Sequence, residues 1–311
     1  MTILTGTCSW AGRVTQQAQK LYGTPKPTPE QELRCYSSIF PTVEVDSTFY
    51  ALPSLQNSQR WAERTPDDFV FHIKAFSLFT THRTRTRNLP ADIRGTLPQN
   101  LQGKPQLNSG EVPKSVKAEL WRRYREALGP LKQAGKLGFI LLQFAPWFTP
   151  SRENADYILT CQDYLSGLDL AVEFRNKAWF EGRLIQRTPQ WLRENNLTMV
   201  CVDAPQGFET SIPPMAEATT EESYVRLHGR NATSWGQHGS LVRSIYDYWY
   251  SDSELKEWLG RVRQLEEQTD TIYVLFNTVQ GLETAQIFRG MVSLDGGTPE
   301  APGANMGKEL M

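Results

Sequence analysis

The sequence predicts a (β/α)8 TIM barrel built as a single domain, and three observations support this fold class. Eight short β-rich runs occur along the 311 residues, and amphipathic, helix-like segments separate most of them. The runs are almost continuously apolar, which is typical of parallel strands covered on both faces. The chain is also long enough to bury a large core. An open, doubly wound sheet is the alternative, but no GxGxxG motif follows any of the runs.

The predicted strands are short and regularly spaced. They span residues 3–8, 42–46, 69–74, 138–144, 169–174, 198–203, 223–228 and 271–276. Helix-like segments include "PEQELRCYSSI" after the first strand and "DSELKEWLGRVRQLEEQ" before the eighth. The connection between the sixth and seventh strands, "APQGFETSIPPMAEATTEE", contains a Pro-Pro pair and leaves little room for a helix. We therefore expect an irregular connection at this point of the barrel.

The domain organisation follows from the same survey. The barrel is predicted to occupy residues 1–292, with a polar and basic insert at about residues 80–114 after the third strand. The tail, residues 293–311, is rich in Gly and Pro and is predicted to be disordered.

Composition argues against several classes of protein. A formal net charge of −1 does not suit a surface built entirely for nucleic acid or anionic membrane, although a local basic groove is compatible with it. No apolar run approaches the roughly 18 residues that a membrane-spanning helix needs, and "MTILTGTCSW" does not resemble a secretory signal. We expect a cytoplasmic protein with reduced thiols and neither a zinc site nor disulfides. The four cysteines are Cys8, Cys35, Cys161 and Cys201.

Alternation within the strands predicts a polar site at one end of the barrel. In "LAVEFRNKAW", for example, Glu173 and Arg175 are two residues apart and share one face of the strand. The C-terminal ends of barrel strands meet at one rim, where TIM-barrel active sites lie. The register of each strand is assumed, and a shift by one residue would turn the polar side chains of that strand outward. The side chains predicted to meet at the rim are Glu44, Asp46, Lys74, Gln143, Glu173, Arg175, Asp203, Arg226, His228 and Asn277.

Seven motifs resemble those of a known family, and they occur in the family's order. They are "GTCSW", "VEVDSTFYALPS", "FHIKAF", "LLQFAPWF", "AVEFRNKAW", "YVRLHGRN" and "YDYWYSDSEL". Together they cover roughly residues 3–290 and resemble the domain of unknown function 72 family, also called YecE-like proteins. The resemblance implies a TIM-barrel fold, in agreement with the strand count, and it does not imply a particular activity.

The first functional hypothesis is acid/base hydrolysis of a small anionic or sugar-containing ligand, either a phosphoester or a glycoside. Burial would keep one carboxyl group protonated, whereas a carboxylate paired with Arg or Lys would stay ionised. The catalytic candidates are Glu44, Asp46, Glu173, Asp203 and His228. The ligand-binding candidates are Trp10, Lys74, Gln143, Arg175, Trp179, Arg226, Tyr248 and Asn277. Trp147 and Trp235 also follow strand ends, where aromatic faces could stack on a sugar or base.

Two alternatives remain open, and neither involves a membrane. A divalent-metal phosphoesterase or isomerase would use Glu44, Glu173, Asp203 and His228 as ligands, although a similar number of cationic side chains is predicted at the same rim. A non-catalytic module would bind a phosphorylated ligand or single-stranded nucleic acid through the basic insert. The simpler interpretation of that insert is a solvated loop. Its cationic candidates are His82, Arg83, Arg85, Arg87, Arg94 and Lys104.

Overall fold

Eight parallel strands close into a barrel, as predicted, in a computed structural model that describes residues 1–11, 26–235 and 245–296. With strands numbered in chain order, the barrel strands are β1 (Thr2–Cys8), β2 (Thr42–Val45), β3 (Val70–Lys74), β6 (Leu137–Gln143), β7 (Leu170–Glu173), β8 (Thr198–Asp203), β9 (Glu222–Leu227) and β10 (Thr271–Phe276). Each strand pairs with the next, and β10 pairs with β1 to close the ring. Every boundary lies within one residue of its predicted position.

Helices surround the barrel, and several begin at side-chain caps. They are α1 (Pro29–Ile39), α2 (Leu55–Glu63), α3 (Ala91–Thr96), α4 (Gln99–Gln102), α5 (Lys114–Ala127), α6 (Gly129–Gln133), α7 (Arg152–Tyr164), α8 (Leu184–Glu194), α9 (Asp252–Glu266) and α10 (Gly281–Leu294). Thr28 with Gln31, and Ser251 with Glu254, form capping boxes that satisfy the first backbone N–H groups of α1 and α9. Residues 204–221 contain no helix, so the irregular connection before β9 is confirmed.

The C-terminal boundary differs slightly from the prediction. The tail was predicted to start at residue 293, but α10 continues to Leu294. Residues 297–311 lie outside the described residues, so the predicted disorder stays a prediction.

The basic insert is folded, which contradicts its interpretation as a solvated loop. Strands β4 (Thr84–Arg85) and β5 (Gln106–Leu107) pair in an antiparallel sheet outside the barrel, and α3 and α4 lie between them. The insert buries its own apolar side chains, which a solvated loop would expose. These side chains are Leu89, Ile93, Leu97, Leu101 and Leu107.

An aromatic cluster fills the interior of the barrel below the rim. His72 lies against Tyr273, Tyr224 and Phe139, with ring centroids 4.3, 4.7 and 5.7 Å away. The His72 ring fits because Gly138 has no side chain: a Cβ there would lie 2.7 Å from the imidazole. At the same place the register between β3 and β6 shifts, and His72 Nδ1 accepts a hydrogen bond from the Phe139 N–H at 3.0 Å. The interior of the barrel is therefore packed rather than open.

The helices of the described ranges differ from membrane-spanning helices in length or in apolar character. None of them is both long enough and apolar enough to cross a membrane.

We predict that Gly6→Ala in β1 destabilises the barrel. A Cβ at Gly6 would lie 2.2 Å from the backbone oxygen of Thr42, so β1 and β2 would have to separate. Overpacking of this kind costs about 1–3 kcal/mol or more in the free energy of unfolding, which urea denaturation measures. Gly95→Ala is the matched control, because a Cβ there meets no atom within 4 Å. The control should be neutral or stabilising by up to about 1 kcal/mol; equal losses for both variants would contradict the prediction.

Candidate functional site

A buried ion-pair network lies at the C-terminal end of the barrel. The Arg226 guanidinium on β9 lies between Glu44 of β2 and Glu173 of β7. Its Nε and Nη2 atoms donate to the two Glu44 oxygens at 2.9 and 2.6 Å, and its Nη1 donates to Glu173 Oε2. The Tyr224 hydroxyl donates to Glu44 Oε2 at 2.7 Å. All four side chains are fully buried, so the charges are stable there only because they are paired and hydrogen bonded.

The second oxygen of Glu173 organises three further residues. Glu173 Oε1 accepts hydrogen bonds from Gln143 Nε2 at 2.8 Å and from Arg175 Nη1 at 3.0 Å, and it lies 3.1 Å from His228 Nε2. The Asn277 amide nitrogen lies 2.9 Å from His228 Nδ1. With the amide assigned in this way, His228 Nδ1 accepts and Nε2 carries the proton that is donated to Glu173. The carboxylate thus fixes the orientation of a cation, an amide and an imidazole.

Burial and pairing act in opposite directions on the titration of this network. Burial disfavours the charge on Glu173, yet Arg226, His228 and Arg175 together hold the pKa of Glu173 well below its usual range. Burial raises the pKa of Glu44, while both of its oxygens accept from Arg226, a geometry that favours the ionised carboxylate. Burial, aided by repulsion from Arg226, lowers the pKa of His228 to about 3. His228 is therefore neutral at pH 7, beside the ionised Glu173.

A second layer of charges reaches the surface of the rim. Lys74 Nζ donates to Asp46 Oδ1 at 3.1 Å and lies 4.9 Å from the centre of the Phe49 ring. The side chains of Asp46, Arg175 and Lys74 are 26%, 15% and 12% exposed, whereas that of Glu173 is fully buried. Solvent and ligands therefore meet Asp46, Lys74 and Arg175 before the buried network.

The rim charges keep their ordinary ionisation at neutral pH. Burial would raise the pKa of Asp46, but Lys74 and Arg226 hold it below its usual value. Burial would lower the pKa of Lys74, but Asp46 and Glu44 raise it. The hydrogen bond from Arg175 to Glu173 uses Nη1. Among the described residues, no acceptor lies within hydrogen-bond distance of Arg175 Nε or Nη2. Both cations can therefore donate to an anion at the rim.

Three residues contribute to the rim that were not among the catalytic and ligand-binding candidates predicted from the sequence. The Arg175 guanidinium stacks on the Trp235 ring at 4.9 Å, and the Tyr246 ring lies 6.0 Å from His228. Tyr246 is among the groups that raise the pKa of Lys74 and the pKa of Arg175, so its ring lies near both cations. The third is His82, whose pKa is lowered to about 4 by burial, Lys74 and Arg175. The motif "YDYWYSDSEL" was the available signal, since it begins with Tyr246.

His82 was predicted to act with the basic insert, and its position is different. Its ring packs edge-on against Phe49 at 4.9 Å and lies 6.0 Å from Trp147. Trp147 is 58% exposed, and its indole N–H donates to the Thr81 carbonyl at 3.2 Å. Trp147 therefore forms part of the outer wall of the rim, in keeping with its position after a strand end.

Three aromatic ligand-binding candidates lie elsewhere. Trp10 packs against Trp61 and Phe71 in the layer between the barrel and α2, with ring centroids 5.8 and 6.2 Å away. Trp179 stacks on Phe174 at 4.3 Å and is buried. The sequence places these aromatic residues after strand ends, but each side chain turns to the helix layer, where more apolar surface can be buried.

Tyr248 also differs from its prediction. Its hydroxyl donates to Glu254 Oε1 at 2.5 Å, at the start of α9, and its ring packs edge-on against Tyr250. It thus holds the segment before α9 rather than lining the interior of the barrel.

Asp203 lies on the outer face of the barrel, so its assignment to the polar site was wrong. Paired residues of neighbouring parallel strands point to the same side, and Val202 pairs with Arg226, which points inward. Asp203 therefore points outward. Its Oδ2 accepts from the Tyr250 hydroxyl at 2.6 Å, and Arg230 Nη2 lies 3.0 Å from Oδ1. Arg230 also pairs with Glu257 of α9, so this cluster joins β8 to the helix layer.

The four residues of the metal hypothesis do not form one ligand set. Asp203 is on the other face of β8, and Arg226 separates Glu44 from Glu173. In the described ranges, ligand atoms of Cys8, Glu44 and Asp46 lie within 4.8 Å of one another. Glu44 is already occupied by Arg226, Asp46 is paired with Lys74, and burial raises the pKa of the Cys8 thiol. These residues therefore fit a resident metal poorly.

A cavity of about 920 Å³ opens at the opposite, N-terminal end of the barrel. Its wall includes Phe139, Thr198 and Glu222. Phe139 belongs to the aromatic cluster around His72, which fills the barrel between this cavity and the rim. The cavity is therefore separate from the ion-pair network. Active sites of this fold lie at the C-terminal end of the barrel, so the network is the better candidate site.

We predict that His72 makes the fold sensitive to acid. Burial lowers the pKa of His72 to about 3, whereas an unfolded His has a pKa of about 6.5. Between these pH values only the unfolded chain binds the proton, so the free energy of unfolding falls as pH falls, by up to about 1.4 kcal/mol per pH unit. His72→Phe should therefore flatten the pH dependence between pH 6 and pH 4 by about one proton, measured by urea denaturation.

The control is Phe139→Leu, which disturbs the same cluster without removing a titrating group. It should lower the free energy of unfolding equally at every pH. An unchanged slope in His72→Phe would show that His72 is protonated in the folded protein.

The comparisons with known proteins agree with this architecture. The family described as "Protein of unknown function DUF72" matches residues 4–306. The chain is 31% identical over 276 residues to the UPF0759 protein YunF of Bacillus subtilis (strain 168), an alignment that covers 87% of this chain and 88% of that protein.

Solved structures show the same fold. A DUF72 family protein from Enterococcus faecalis V583 superposes with a TM-score of 0.77 at 22% identity, covering 98% of this chain and 99% of that one. A second, from Thermotoga maritima MSB8, superposes with a TM-score of 0.72 at 26% identity, covering 94% and 100%. The resemblance carried by the sequence motifs is thereby confirmed. The chain belongs to the DUF72 family of proteins of unknown function.

Proposed function

We propose that the rim binds a small phosphoester through Lys74 and Arg175 and hydrolyses it with Asp46 as the general base. One observation carries the proposal: two cations with N–H groups available for a ligand lie beside a partly exposed, ionised carboxylate. Arg and Lys are the side chains best suited to hold phosphate oxygens. An ionised carboxylate within reach of a bound water can accept its proton.

The environment of the two glutamates favours a phosphoester over a glycoside. Glycoside hydrolysis needs two carboxyl groups that act on opposite sides of the sugar bond. Glu44 and Glu173 both accept hydrogen bonds from Arg226 and are fully buried, and the pKa of Glu173 is too low for a general acid. Phosphoryl transfer depends mainly on positioned cations and electrostatic stabilisation, and the rim offers Lys74 and Arg175.

In the proposed reaction, Lys74 and Arg175 bind the non-bridging phosphate oxygens. Asp46 accepts a proton from water, the water oxygen forms a bond to phosphorus, and the bond from phosphorus to the alcohol oxygen breaks. The alcohol takes its proton from solvent. Glu173 does not contact the substrate in this scheme; it is a positioning residue that holds Arg175 and His228 in place. The Trp235 ring packs against the Arg175 guanidinium and helps to hold it in place.

Removing the Lys74 charge should weaken anion binding. A hydrogen bond to a charged group contributes about 1.5–3 kcal/mol, so Lys74→Met should raise the Kd for inorganic phosphate by roughly 10- to 100-fold, measured by calorimetry. Lys256→Met is the matched control, since Lys256 is exposed on α9. Equal affinities in Lys74→Met and the wild type would remove Lys74 from the site.

Neutralising Asp46 should slow turnover while preserving binding. General-base catalysis contributes about 10²- to 10⁴-fold, and Asp46→Asn should lose a factor in this range in kcat with p-nitrophenyl phosphate or bis(p-nitrophenyl) phosphate. Affinity for inorganic phosphate should be retained, because a negative charge is removed near the anion. Asp203→Asn is the control: it removes a carboxylate from the outer face of the barrel, so kcat should stay close to wild type.

These measurements separate catalysis from binding. Phosphate binding without turnover of either ester by the wild type would overturn the hydrolase assignment and leave an anion-binding protein. A kcat of Asp46→Asn close to that of the wild type would exclude Asp46 as the base.

A further inference from the structure

The folded insert carries a basic groove of its own. A concavity of about 740 Å³ lies between the β4–β5 sheet and the two short helices of the insert. Four cationic side chains border it, and they come from four separate points of the segment. They are Arg85, Arg87, Arg94 and Lys104.

The framework of the insert fixes where these cations lie. The Thr86 N–H donates to the Pro105 carbonyl at 3.0 Å, and the Thr86 hydroxyl donates to the Lys104 carbonyl. Across the groove, Arg94 Nη1 donates to the Arg87 carbonyl at 3.2 Å. Because a small apolar core lies beneath these bonds, less side-chain and backbone entropy is lost when an anion binds than in an unfolded loop.

The charge of the groove is not balanced by the insert's own carboxylates. Residues 80–114 contain six Lys and Arg but two Asp and Glu. Asp92 pairs with Arg123 on α5, away from the groove, and Glu111 pairs with Lys104 at 2.6 Å. In the part of the chain that the structure describes, no carboxylate pairs with Arg85 or Arg87 within 4.0 Å.

We propose that this groove is a second anion site, which binds a small ligand carrying several phosphate charges, such as a pyrophosphate or triphosphate group. Its volume lies within the roughly 300–1,000 Å³ of small-molecule pockets. The guanidinium forks of the three arginines suit phosphate oxygens, and several cations around one concavity suit several charges at close spacing. The site is independent of the catalytic proposal, because none of the rim residues borders it.

The arrangement favours a small ligand over single-stranded nucleic acid. Strand binding uses an extended basic track with aromatic faces on which successive bases stack. The wall of this groove consists of Arg, Lys, Gln, Thr, Gly and Pro residues and contains no aromatic side chain among the described residues.

The test is binding of inorganic pyrophosphate and tripolyphosphate by calorimetry. The Arg85→Ala/Arg87→Ala double variant should raise the Kd for tripolyphosphate by roughly 100-fold or more, since two charged hydrogen-bond donors are lost. Arg83→Ala is the matched control: Arg83 is exposed in the same segment but does not border the groove. The control should bind like the wild type. Both sets of arginines are exposed, so the melting temperatures should agree and confirm that the variants fold.

The remaining outcomes decide between this site and others. Lys74→Met should keep tripolyphosphate binding, and its loss in that variant would place the anion at the rim and overturn the proposal. An equal effect of Arg83→Ala would reduce the groove to non-specific attraction. A 20-nucleotide oligothymidylate serves as the nucleic-acid probe. If it binds more tightly than tripolyphosphate does, and if the double variant loses that binding, the ligand of the groove is single-stranded nucleic acid and the proposal is wrong.

Discussion

Arg226 determines how the C-terminal half of the barrel is arranged, because its guanidinium joins Glu44 and Glu173 across the interior. The three residues belong to β9, β2 and β7, none of which is a neighbour of another in the sheet. Transfer of these charges from water costs several kcal/mol for each ion, and only complete pairing offsets it. The Tyr224 hydroxyl and the Gln143 amide complete the pairing. The network therefore defines one arrangement of side chains, since any other would leave a buried charge without a partner.

This constraint separates the polar residues by role. Glu44 and Glu173 look like catalytic carboxylates in the sequence, but their oxygens are occupied and out of contact with solvent. Glu173 instead positions Arg175 and His228 through hydrogen bonds, while burial and Arg226 keep His228 neutral. Asp46 and Lys74 differ from these glutamates in their depth within the barrel. Asp46 comes two residues after Glu44 and Lys74 ends β3, and both side chains are partly exposed. The reactive groups of the rim are thus the ones that the buried network leaves exposed.

The sequence predicts which side chains of a strand face the barrel interior only where one face of that strand is polar and the other is apolar. In β2 and β9 the polar residues alternate with Val and Leu, so the inner face was assigned correctly for Glu44 and Arg226. In β8, "TMVCVD", both faces are apolar until Asp203, and the pattern contains no information about register. The partners that stabilise Asp203 outside the barrel, Arg230 and Tyr250, come from the segment after β9. Such long-range pairing is set by tertiary contacts, and so is the position of Trp179, whose indole N–H donates to the Phe148 carbonyl at 2.7 Å.

The charge count of the rim bears on which anion it would accept. The buried layer, Glu44, Glu173 and Arg226, has one negative charge in excess, and the exposed layer, Lys74, Arg175 and Asp46, has one positive charge in excess. With His228 neutral, the site as a whole balances without a ligand. A singly charged phosphodiester would match the excess of the exposed layer, whereas a dianion would also be repelled by the carboxylates beneath it. The groove of the insert differs, because no carboxylate lines it among the residues that the structure describes, and it therefore suits ligands of higher charge.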